Sequence, residues 1–111
     1  MKIEMNLNEL PFNQIKNNLK TIELRLNDEK RKNIKLNDII LFTNVNTKEQ
    51  ITCKVIGLCN FNSFSELANI TGKEKCGFSK EDDIDIEMTK YYPKDEIDKY
   101  GVLGIAISVI K

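Results

Sequence analysis

Lys20, Glu23 and Arg25 lie within six residues of one another and are the side chains whose types and spacing could do chemistry. The segment Thr21-Ile22-Glu23-Leu24-Arg25-Leu26 alternates strictly. As a strand it puts Thr21, Glu23 and Arg25 on one face and Ile22, Leu24 and Leu26 on the other. At a rise of roughly 3.3 Å per residue, the Glu23 carboxylate and the Arg25 guanidinium start about 7 Å apart. A guanidinium in a fixed frame can bind a phosphate, a carbonyl or a base edge through two hydrogen bonds, and Glu23 can accept from an amino group. Lys20 adds a second cation where the chain enters the strand. The plainer reading of the same residues is ion pairing on a wet surface, at about 0.2–1 kcal/mol per pair. The loop Asp28-Glu29-Lys30-Arg31-Lys32 follows directly. Lys30 and Arg31 could form the rim of such a site and contact phosphates, or the loop could simply be solvated. It carries no interleaved aromatic residue that would make a stacking platform for single strands.

Composition narrows the chemistry. The 111 residues contain no histidine, so a Ser-His-Asp or Cys-His arrangement and imidazole ligation of zinc are ruled out. Any catalysis must use carboxylates, Lys, Tyr, Thr or Cys. Cys53, Cys59 and Cys76 show no CxxC spacing and read as reduced, mostly buried thiols. Asp82, Asp83, Asp85 and Glu87 lack calcium-loop spacing and suit a helix start; no metal and no cofactor are expected. Seventeen bases balance 17 acids, so no global charge draws the chain to a phosphate backbone. Bases nevertheless predominate from Lys16 to Lys35 and acids from Glu81 to Asp98. No apolar run approaches the length of a membrane span. The N-terminus lacks a signal-type apolar stretch, so a cytoplasmic protein is expected.

The elements that must hold Lys20, Glu23 and Arg25 can be read on either side of them. Pro11 is expected at the first position of a helix with Phe12, Ile15 and Leu19 on one face. Asn17-Asn18 closes it, since Asn tolerates a left-handed backbone. Ile39–Phe42 reads as an apolar strand after the Asn37-Asp38 turn. Asn44–Thr47 then turns the chain into a hairpin with residues 50–58. Ser63-Phe64-Ser65-Glu66 is a capping box for a helix ending near Gly72. Ser79–Asp82 repeats that signal ahead of a helix carrying Ile84, Met88 and Tyr91 on one face. Pro93 opens a further helical turn that Gly101 ends, and residues 102–110 read as a central strand. Phe42, Phe61, Phe64 and Phe78 read as core. Of Tyr91, Tyr92 and Tyr100, Tyr100 is the one expected to face a cleft. The pattern is a single α+β domain over residues 1–111, with a small barrel of five to six mostly antiparallel strands and short helices inserted between them.

Three segments, Asn18–Arg25, Lys35–Phe42 and Tyr100–Ile105, give the chain a resemblance to the ASCH domain family of the PUA-like β-barrel superfamily, over nearly its whole length. Asn18 and Asn37 stand where the family pattern has glycine, and Asn is the residue next best suited to positive φ. The resemblance implies a β-barrel with a cleft beside the first helix, and RNA or a nucleotide- or nucleoside-like small molecule as partner. Lys20, Glu23, Arg25, Lys30, Arg31 and Tyr100 would line the cleft. One branch of the family contains amidohydrolases that deacylate N-acetylcytidine through a Lys and a Thr on this strand and a Glu elsewhere. Lys20 matches that Lys, Glu23 occupies the place of the Thr, and Glu74 lies in the region of the third residue. Hence an alternative is an enzyme acting on an N-acylated cytidine or related nucleoside, with Lys20 and Glu23 as catalytic groups. A further alternative is a protein-interaction domain with no small ligand.

Overall fold

The structure, a computed structural model, describes residues 2–110. Its elements run β1 (Lys2–Leu7), α1 (Glu9–Lys16), β2 (Ile22–Leu26), β3 (Ile39–Asn44), β4 (Gln50–Phe61), α2 (Phe64–Thr71), α3 (Ile84–Thr89), α4 (Lys94–Tyr100) and β5 (Val102–Val109). The strands form one sheet in the order β1-β3-β4-β5-β2. Among the described residues β1 and β3 pair in parallel and the other neighbours are antiparallel. The sheet curls into a half-barrel whose free edges are β1 and β2, giving the α+β fold expected.

Strand periodicity explains how the sheet builds two apolar layers. On the inner face, Phe42, Cys53, Val55, Leu103, Ile105 and Ile107 pack with Phe12 and Ile15 of α1 and with Ile34 of the connecting loop. On the outer face, Leu24, Leu26 and Val102 pack under Phe64, Leu67 and Ala68 of α2, Ile84 and Met88 of α3, and Ile97 of α4. Strand β5 serves both layers, as its uninterrupted apolar sequence requires. The long strand β4 pairs with β3 over residues 50–54 and with β5 over residues 53–61, with a register shift between Val55 and Gly57 on the β5 side.

Several local readings are revised. Helix α1 starts at Glu9 with Asn8 as N-cap, so Pro11 is its third residue; its missing N–H still falls in the first turn, where no partner is required. The second capping signal is a turn: the Ser79 N–H donates to Asp82 Oδ2 at 2.9 Å. Asp83 caps α3 instead, by accepting from the Ile86 N–H at 3.2 Å. Tyr91 falls beyond α3 and is exposed. Strand β1 has no counterpart among the elements read from sequence, although Ile3, Met5 and Leu7 alternate along it. Ser63 does cap α2, accepting from the Glu66 N–H at 3.1 Å. Asn18 and Asn37 adopt positive φ of 61° and 73°, as their glycine-like places required.

Gly104 of β5 lies under Leu67 of α2. A Cβ there would lie 2.7 Å from Cys59 Sγ and 3.1 Å from Leu67 Cδ1. Gly104→Ala is therefore expected to lower stability by about 1–3 kcal/mol through overpacking. It should be read as a lower urea midpoint at an unchanged m-value; an unchanged midpoint would mean that α2 can retreat without cost.

Candidate functional site

The chain reverses after α1 by winding its last turn back on itself. The Leu19 and Lys20 N–H groups both donate to the Gln14 carbonyl, at 2.8 and 3.1 Å, with Asn18 left-handed. That reversal sends the backbone into β2 with Lys20 buried beside the strand. The polar row of β2 then faces the inner side of the half-barrel. Glu23 is in register with Ile105 of β5 and Arg25 with Leu103, both of which belong to the inner core. With Leu24 and Leu26 in the outer layer, β2 is enclosed on both faces.

Glu23 is only 3% exposed, and both of its oxygens are engaged. Its Oε1 accepts from its neighbour's Leu24 N–H at 3.2 Å and pairs with Lys20 Nζ at 3.1 Å. Its Oε2 accepts from Arg25 Nε at 3.1 Å and Nη2 at 2.9 Å. Burial alone would push this carboxyl up, but the adjacent Lys20 and Arg25 cations outweigh it and hold Glu23 below the ordinary carboxylate range. Arg25 is penalised by burial too, yet Glu23 and the Tyr92 hydroxyl keep its guanidinium firmly charged. Arg25 Nη2 also donates to the Asn6 carbonyl of β1 at 3.1 Å. One side chain thus ties the two free edges of the sheet together.

The surroundings of this triad come from three loops. Lys75 O accepts from the Thr21 and Ile22 N–H groups, at 2.9 and 3.0 Å, docking the 72–78 loop onto the start of β2. Gly77 in that loop has φ of 87°, and a Cβ there would stand 2.7 Å from Gln14 Oε1 and 3.0 Å from Lys20 Cδ. On the other flank Arg31 pairs with Asp28 Oδ2 at 2.9 Å. Its guanidinium carbon sits 5.8 Å from the centroid of the Tyr92 ring, which stacks on Phe64 at 5.9 Å. Tyr92 therefore stands against both Arg25 and Arg31. Lys30 is exposed on the same loop.

The structure brings Lys20, Glu23 and Arg25 into one cluster, with Arg31 nearby through Tyr92. Tyr100 lies elsewhere, lining a cleft of about 470 Å³ with residues that include Asn60 and Glu66. Tyr92 is the residue that sequence reading misses; its only signal is an aromatic ahead of Pro93, shared with Tyr91. Glu74 is exposed and makes no ion pair among the described residues. The acidic stretch is occupied structurally: Asp83 caps α3, Asp85 accepts from the Ser65 N–H and Glu87 holds Lys90. Lys73 Nζ donates to the Lys80 and Asp82 carbonyls. No group of three or more potential metal ligands occurs among the described residues. Burial raises all three thiols, Cys53 to about 11, so none is a ready thiolate at neutral pH.

Lys20, Glu23 and Arg25 thus form a buried cluster at the β2 edge of a five-stranded half-barrel. The chain belongs to the ASCH domain family, whose profile matches residues 5–111. It is similar to the crystal structure of hypothetical protein PH0355, at 36% identity and a TM-score of 0.88, covering 99% of this chain and 100% of that one. It is also similar to protein PF0455 from Pyrococcus furiosus, solved by NMR, at 32% identity and a TM-score of 0.79, covering 100% of this chain and 99% of that one. A point mutant of ZmASCH from Zymomonas mobilis, solved by crystallography, shares the fold at 14% identity and a TM-score of 0.68, covering 99% of this chain and 75% of that one. No curated protein matches the chain.

Glu23→Gln would leave Lys20 and Arg25 buried without their counter-charge. It is expected to cost about 3–5 kcal/mol at neutral pH, measured by equilibrium denaturation. Because the folded carboxyl titrates below its ordinary value of 4.5, its stabilisation is fully present above that pH. It is lost as pH falls through the lower folded value. Wild-type stability should therefore fall more steeply below pH 4.5 than that of Glu23→Gln. Parallel acid limbs would contradict the assignment.

Proposed function

We propose that this ASCH domain binds RNA or a nucleotide-like ligand at the open edge between β1 and β2. Lys20 and Arg25 would supply the charge, Tyr92 and Arg31 the flank, and Lys30 the rim. The observation that carries this reading is the charge balance of the buried cluster. Two cations face one carboxylate, so a surplus positive charge remains in a low-dielectric setting, where an anionic or carbonyl oxygen gains most from it. Lys20 and Arg25 retain N–H donors beyond those used on Glu23 and Asn6, and their frame is already fixed by folding. Tyr92 offers an aromatic edge beside those donors.

The hydrolase reading has less support. Glu23 would have to act as base toward water, yet it is saturated with donors and held at a depressed pKa, which makes it a weak base. Glu74 does not join the cluster, and the thiols are protonated. A role as a pure protein-interaction domain leaves the surplus buried charge without a use.

The test is fluorescence anisotropy with a short labelled single-stranded RNA at low and moderate salt. Saturable binding that weakens with salt is expected. Arg25→Lys keeps the charge but loses the fork, and should weaken binding by about 1.5–3 kcal/mol, the worth of a hydrogen bond to a charged group. Lys30→Ala should reduce the salt dependence. Equal affinity in the wild type and Arg25→Lys, or no saturable binding, would overturn the proposal.

A further inference from the structure

A second concavity lies at the far end of the sheet, where β4 ends, β5 begins and β2 runs out. It encloses about 470 Å³, within the range of small-ligand sites. Asn27, Asn60 and Asn62 line it together with Glu66. None of these four side chains makes a hydrogen bond or ion pair among the described residues. Asn44, Asp83 and Ser63, by contrast, hold a turn or cap helices. Phe61 and Tyr100 supply the aromatic wall, with Lys99 Nζ 5.0 Å from the centroid of the Tyr100 ring.

The frame around these groups is rigid. The Asn27 N–H donates to Gly101 O at 3.1 Å, which locks the end of β2 to the cleft floor. Gly101 has φ of 73°, and a Cβ there would stand 3.1 Å from the Phe61 carbonyl. Phe61 in turn is paired with Val102.

The lining lacks the surplus of positive charge found at the β1–β2 edge. Glu66, Asp98 and Lys99 line the cleft and Asp98 pairs with Lys94 at 3.2 Å, so two acids against two bases leave no net charge. Each amide both donates and accepts, a carboxylate accepts from hydroxyls, and an aromatic wall suits the apolar face of a ring. We infer that this cleft is a second binding site, distinct from the β1–β2 edge, for an uncharged polyhydroxylated ring. The shared chemistry is a vicinal diol, which either the ribose of a nucleoside or a free sugar ring presents. A phosphate on the ligand would gain no net attraction here, whereas at Lys20 and Arg25 it would be favoured.

The experiment is an NMR titration of the whole protein with uridine, uridine 5′-monophosphate and methyl glucopyranoside, following the Asn60, Asn62 and Tyr100 amide signals. Saturable shifts at these residues are expected with uridine, with the sugar, or with both, which identifies the source of the diol. The monophosphate should bind there no more tightly than uridine. Asn60→Ala and Glu66→Gln, both at exposed positions, should each weaken binding at least several-fold without altering the fold. Absence of saturable shifts with all three compounds would overturn the inference, as would shifts that both variants leave unchanged. Shifts confined to Lys20, Arg25 and Tyr92 with all three compounds would also overturn it, while leaving the site at the β1–β2 edge intact.

Discussion

A carboxylate buried on the inner face of the sheet is the constraint around which the rest of this structure is arranged. Left unpaired there, Glu23 would cost several kcal/mol, and the surrounding chain answers that cost with two cations and a backbone N–H. Each answer places an element. Lys20 reaches Glu23 only because α1 ends in a left-handed Asn18, and it keeps its place because the 72–78 loop closes over it with a glycine at Gly77. Arg25 pairs with Glu23 along the same strand and then spans the gap to Asn6. The half-barrel is held shut at its free edges by a guanidinium rather than by a strand ladder, leaving β1 and β2 separable where a barrel would be sealed.

On the proposed reading, this arrangement would link stability to ligand binding through the same atoms. Pairing Arg25 with Glu23 fixes its fork before any ligand arrives, so little rotamer entropy is left to lose on binding. Two cations against one carboxylate leave the cluster electropositive although the whole chain is neutral. Folding therefore stores a local charge that bulk composition conceals. The ion pair is not an alternative to a ligand site here; it is what would hold one in shape.

Much of the fold was legible because each local signal agreed with the global one. Alternation marked β2, Ser63 marked the start of α2, and the two-sided apolar run at residues 102–110 marked the central strand β5. Asn18 and Asn37 could be placed at positive φ because they stand where the family pattern has glycine. The parts that escaped have physical reasons. Strand β1 is only 6 residues long, and its stability comes from parallel pairing with β3, which is distant in sequence. The Ser79 signal was genuine hydrogen-bond chemistry used in a turn instead of a helix. Lys20, Glu23 and Arg25 could be grouped from spacing, but their burial could not. Strand alternation assigned them the polar face, and only curling of the sheet turned that face inward. Tyr92 joins them through the folding of α2 and α3 around the edge of β2, which no local pattern announces.

The most direct measurement is the titration of the Glu23 side-chain carboxyl carbon by NMR, in the folded protein, with Lys20→Met as comparison. A midpoint well below 4.5 in the wild type, moving upward in Lys20→Met, is the result predicted for a buried carboxylate held ionised by its two cations. A wild-type midpoint at or above that ordinary value would contradict the central role given to Glu23, because burial would then be prevailing over pairing.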